Sequence, residues 1–170
     1  MIQSRCYLRR IGCSSSSYHS SKIIVIMFDL SLDNRLSEWK KFRTQLEVSS
    51  TPLQDVQEFW KNAPFIPFNK NIDPYHQSSW PTPWEILECN KYDDFTKSLM
   101  IGWTLKLTNK FKDSNIELLT VVDKARTREY NLVYIDQDTV LNYLDTGPVD
   151  SNSIPDDLSV RNMVIINPPR

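Results

Sequence analysis

The hydrophobic period of this chain changes once, between Leu107 and Ile116, and that change decides what it can fold into. Before it, apolar residues recur at steps of three and four: Leu32, Leu36, Trp39, Phe42 and Leu46 with Arg35, Glu38, Lys40, Lys41 and Arg43 between them, then Phe95, Leu99, Trp103 and Leu107, joined by Met100. Such spacing predicts amphipathic helices with one buried face. After it, Ile116–Val122, Glu129–Ile135 and Thr139–Leu144 are short, β-branched or aromatic runs separated by polar connections such as Asp136-Gln137-Asp138. Short connections between strands imply antiparallel pairing. The chain therefore reads as α+β, with N-terminal helices and a central helix packed on a small antiparallel sheet.

Helix starts are marked by residue chemistry. Thr51-Pro52-Leu53-Gln54 and Thr82-Pro83-Trp84-Glu85 each place a hydroxyl at the N-cap, proline at the first helical position and a capping-box side chain three residues on. The first opens a helix through Trp60 with Val56, Phe59 and Trp60 buried; the second opens a short helix through Glu88. Asp93 and Asp94 in the first turn of the central helix meet the positive end of its dipole. Between these helices, Ala63–Pro83 holds five prolines and reads as an irregular loop packed over the core. Gly147-Pro148 closes the third strand, and Met163–Ile166 adds an edge strand or docks on the core.

Residues 1–26 differ from the rest. They hold Arg5, Arg9, Arg10 and Lys22, a serine-rich run and no acid, the composition of an organelle transit peptide or of sequence upstream of a true start at Met27. The domain is placed at residues 27–150, with 151–170 as a tail.

Composition excludes several classes of function. Three glycines in 170 residues provide no phosphate-cradling loop, and a net charge of −1 provides no nucleic-acid surface. The longest apolar run, Ile23–Phe28, is far shorter than the roughly 20 residues that span a bilayer. Cys6, Cys13 and Cys89 with two histidines offer no metal-ligand spacing, so neither metal nor cofactor is expected.

Two motifs in this order resemble the transglutaminase-like cysteine protease family, especially its bacterial branch, whose pattern runs W/L-x-T-P-x-E-x-L, a gap, then G-D-C-E-D-F-A. Trp80–Leu87 matches the first part, and Asn90–Thr96 matches the second except at its key positions. The resemblance implies a helix-start thiolate, a strand histidine and an orienting aspartate. Here those positions fall on Tyr92, Tyr130 and Asn142. A phenol of pKa near ~10 cannot replace a thiolate, and no histidine follows His76. The expectation is a non-catalytic pseudoenzyme that binds a protein partner, in a cleft lined by Tyr92, Tyr130 and Trp84, or one in which those aromatics merely fill the space.

Residues 27–145 are also similar to uncharacterised proteins of tailed marine bacteriophages, through the stretch Phe59–Pro67 together with Trp80–Leu87. That resemblance implies a place in the host cytoplasm or virion, and the alternative of a minor virion or assembly protein. A further alternative is a cysteine hydrolase or acyltransferase using Cys89 with His76 as base.

Overall fold

The computed structural model describes residues 27–169; the leader assigned to residues 1–26, with Cys6 and Cys13, lies outside the described residues. Among the described residues four complete α-helices come first: α1 (Leu32–Val48), α2 (Pro52–Lys61), α3 (Pro83–Cys89) and α4 (Asp94–Lys106). Five strands follow: β1 (Ile116–Asp123), β2 (Arg128–Ile135), β3 (Thr139–Leu144), β4 (Gly147–Asp150) and β5 (Ser159–Ile165). They form one antiparallel sheet in the order β4-β3-β2-β1-β5. This is the α+β architecture the change of period predicts.

α1 buries Trp39, Phe42 and Leu46, as its spacing requires, but it also buries Arg35, which the pattern assigns to the polar face. The Arg35 guanidinium donates to the carbonyls of Leu87 and Leu30, so a cation meets the last turn of α3, where the helix dipole is negative. α2 starts at Pro52, yet Thr51 forms no capping box. Gln54 instead reaches the Thr146 carbonyl (3.3 Å) and lies against Gly147, where a Cβ would fall 1.9 Å from its Oε1. At α3 the capping box is complete: Thr82 Oγ1 accepts from the Glu85 amide (3.3 Å), and the Glu85 carboxylate accepts from the Thr82 amide (2.7 Å).

α4 is the spine of the core. Asp93 caps it, accepting from the Thr96 amide (2.8 Å), while its other oxygen accepts from the Asn69 amide (2.9 Å) and pins the proline-rich loop to the helix start. Ten of its thirteen residues are buried, so the helix is enclosed on nearly every side. Trp39 and Trp60 both donate their indole N–H to Thr104 Oγ1 (3.0 Å each), tying α1 and α2 to α4 through one hydroxyl. The sheet packs on α4 through Ile116, Leu118, Val133, Ile135 and Leu141. Its opposite face carries a smaller cluster of Val121, Tyr130, Leu132 and Val140, covered in part by Ile154 and Leu158.

One strand departs from the sequence reading, and another realises the edge-strand alternative given for Met163–Ile166 over a longer span. Gly147-Pro148 does not close the sheet but begins β4, paired with β3. In the segment read as a tail, β5 pairs with β1, and Arg161 is an extra residue bulged between the partners of Thr120 and Val121.

Candidate functional site

Tyr92 lies two residues before α4 in a short parallel bridge to Phe65. Its amide donates to Pro64 O (3.1 Å) and its carbonyl accepts from Ile66 N (3.0 Å), so the backbone there is held by the proline-rich loop. The side chain is 0% exposed. It packs edge-on against Phe28 (5.7 Å between ring centroids) and tilted against Trp60 (5.6 Å). The hydroxyl is buried without a hydrogen-bond partner among the described residues. Burial pushes its pKa well above the ordinary phenol value, with nearby Arg35 opposing that shift and Cys89 adding to it. Tyr92 is therefore a core residue, not a cleft residue.

Tyr130 and Asn142 sit elsewhere. On β2 the strand period turns Asn131, Val133 and Ile135 toward α4, and Tyr130 and Leu132 toward the opposite face. Asn142 has a left-handed backbone (φ 65°) that interrupts the period of β3. Leu141 and Asn142 both turn to α4, and Tyr143 returns to the outer face beside Tyr130, with 5.4 Å between ring centroids. The β2 position that faces α4 together with Asn142 is thus Asn131 and not Tyr130.

These residues build a polar seam under α4. Asn142 Nδ2 donates to Ser98 Oγ (2.6 Å) and to Asn131 O (3.1 Å). Ser98 Oγ donates to Asn131 O (2.6 Å), and Thr120 Oγ1 donates to Asn131 Oδ1 (2.9 Å). Alongside the seam β2 and β3 part: they pair from Val133–Leu141 to Ile135–Thr139 and no further. The freed backbone of β3 is taken up by Gln57 of α2, which accepts from the Asn142 amide (3.1 Å) and donates to Leu144 O (2.7 Å). One carboxamide stands in for a missing strand.

A cleft of about 270 Å³ opens at this fork, lined by Asp94 from α4, Tyr130 and Asn131 from β2, and Asn142, Tyr143, Leu144 and Asp145 at the end of β3. Arg126, Arg128 and Glu129 also line it, and the Arg128 guanidinium lies over the Tyr130 ring (4.8 Å). The structure thus brings Tyr130 and Asn142 into one cleft and leaves out Tyr92 and Trp84. Trp84 is 41% exposed on α3.

Cys89 is exposed at the end of α3, in a hollow of about 200 Å³ shared with Asn69, Asn71, Glu85 and Lys91. His76 is exposed ahead of a short 3-10 turn (Gln77–Ser79) and does not line that hollow. No group of three or more His, Cys, Asp or Glu among the described residues is placed to hold a metal ion, and no helix among them is long and apolar enough to cross a membrane.

Ser98, Asn131, Gln57 and Tyr143 escape a reading of the sequence. Ser98 and Asn131 carry the one available signal, a lone polar residue inside an otherwise apolar stretch. Searches against protein-family profiles, curated proteins and solved structures returned no match.

Proposed function

We propose that this chain acts by binding another protein through the β2–β3 cleft, on a transglutaminase-like scaffold that has kept its architecture and not its chemistry. The position that would hold the thiolate carries Tyr92, sealed among Phe28 and Trp60 with no access to a substrate. This burial is the observation on which the reading chiefly rests. The groups facing α4 in the seam are carboxamides and hydroxyls, which hydrogen-bond without exchanging protons near neutral pH.

The cleft has the means to hold a protein segment. Tyr130 and Tyr143 offer rigid aromatic surface, of the kind that anchors interfaces. Arg126 and Arg128 beside Asp94, Glu129 and Asp145 offer both signs of charge for orienting a partner.

Photo-crosslinking tests this. With benzoylphenylalanine at position 143, the protein is expected to capture one discrete partner that the same group at Val48, 87% exposed, does not. Identical products from both positions would dismiss the cleft as the contact. Acyl transfer or hydrolysis that disappears on Cys89→Ala would replace this reading with the cysteine-enzyme alternative.

A further inference from the structure

β5 leaves one edge of the sheet open. The order β4-β3-β2-β1-β5 puts it at the end, and no described strand pairs with its far side. The Ile166 amide donates to Ile116 O (2.8 Å), and in an antiparallel ladder alternate residues turn both backbone groups the same way. Asn162 and Val164 therefore bond β1 as Ile166 does, while Met163 and Ile165 turn their N–H and C=O outward. Among the described residues no loop takes up these outward groups.

Protein sheets blunt such edges with lysine, proline, a bulge or very short length. β5 has two of these devices, and only at its ends: the bulge at Arg161, and Pro168 past the strand. Between them, Asn162–Ile166 is uncharged and unblunted. Met163 and Ile165, opposite Leu119 and Glu117 of β1, stand on the outer face at 58% and 50% exposure.

We infer that this edge pairs with the same edge of a second copy, antiparallel about a two-fold axis at Val164, joining two five-stranded sheets into one continuous sheet. In that register Met163 lies opposite the partner's Ile165. Both already turn their backbone groups outward, so the ladder forms without a slip and sets an apolar pair side by side on the outer face. The bulge at Arg161 falls opposite the partner's Asn167, so blunted end meets blunted end. Charge matches as well. The bulge turns Val160 and Arg161 together to the outer face, where both are exposed. Arg161 then lies diagonally across the partner's Ile165 from the partner's Glu117, about 12 Å between Cα atoms at standard strand spacings and within the joint reach of the two side chains. A net charge of −1 opposes the approach of two copies little. Five edge residues per copy fall well short of the ~20–30 a side of a standard interface, so the association is micromolar. The inference does not depend on the β2–β3 cleft, with which it shares no residue.

Sedimentation equilibrium of the full chain, from micromolar to near-millimolar concentration, tests it. The mass is expected to rise toward twice the chain's 19.9 kDa. Ile165→Lys, at an exposed position, is expected to weaken the dimer at least tenfold. Arg161→Glu is expected to weaken it severalfold, and adding Glu117→Arg to restore it, which loss of folding would not do. Val164→Cys, with Cys6, Cys13 and Cys89 replaced by serine, is expected to form a disulfide-linked dimer on mild oxidation, because the two residues oppose each other as a non-hydrogen-bonded pair about 4.5 Å apart at Cα. Tyr143→Ala at the fork should leave the dimer unchanged. A chain that stays monomeric throughout, including one whose edge takes a strand from a different protein instead, overturns the inference. So does a dimer indifferent to Ile165→Lys.

Discussion

Tyr92 and Tyr130 are the same residue type at two ends of one expected site, and the fold treats them oppositely. At the junction before α4, Phe28, Trp60 and the backbone of the proline-rich loop enclose Tyr92 until even its hydroxyl is left without a partner among the described residues. At the fork of β2 and β3, Tyr130 faces outward beside Tyr143, and the space between the strands is held by side-chain hydrogen bonds from Gln57, Ser98 and Asn142. Apolar surface on all sides closes a position. A seam of carboxamides keeps the strands apart and leaves a recess, because each group in it already has its partner and gains nothing from further collapse.

The contrast breaks first if the two tyrosine sites cost the same to empty. Tyr92→Ala removes a fully buried ring and is expected to lower stability by about 3–5 kcal/mol, whereas Tyr143→Ala, half-buried at the cleft, should cost under about 1 kcal/mol. Chemical denaturation of both variants checks this. Equal losses would make the fork part of the core.

Thr104 sharpens the closed side. Its single hydroxyl accepts two buried indole N–H groups, so Thr104→Val conserves volume but orphans both donors, at a cost of about 2–4 kcal/mol. A change under 1 kcal/mol would mean that the two indoles find other acceptors.

Asn142 probes the open side. Asn142→Ala loses the bonds to Ser98 and Asn131 and puts at φ 65° a residue that tolerates the left-handed region less well than asparagine, for about 1–3 kcal/mol, and Asn142→Gly should recover about 1 kcal/mol of that by relieving the backbone. If glycine recovers nothing, the left-handed bend is not what shapes the fork.

Local signals made much of the fold legible. Apolar spacing located α1, α2 and α4, and the Thr82–Glu85 pattern gave a cap that forms as written. The misses share a physical cause: a partner distant in sequence outbids the local rule. Arg35 leaves the polar face of α1 because the end of α3 supplies carbonyls, and Gln54 abandons its cap for Thr146 and Gly147. β4 was hidden because Gly147-Pro148 reads as a terminator, and the first half of β5 because an edge strand facing solvent shows little apolar pattern. At the candidate site, the period of β3 slips by one at Asn142, which no composition signals, so the seam of Ser98, Asn131 and Asn142 could not be assembled from spacing alone.

The smallest effect expected is also the most direct test of closure at Tyr92. Its hydroxyl is buried and unpaired among the described residues, so Tyr92→Phe deletes an uncompensated polar group and should raise stability by about 1 kcal/mol at neutral pH. The pH dependence follows from the same burial. In the unfolded chain the phenol ionises near pH ~10, while in the fold desolvation holds its pKa higher. Above pH ~10 the unfolded state therefore releases a proton that the folded state keeps. Stability is fully present below that pH and falls as pH rises through the window toward the folded value. Tyr92→Phe lacks this loss, so its advantage over the wild type should widen between pH 8 and pH 11, measured by urea unfolding at each pH. A constant advantage would show that the hydroxyl reaches water, and Tyr92 would then belong with the open tyrosines of the fork.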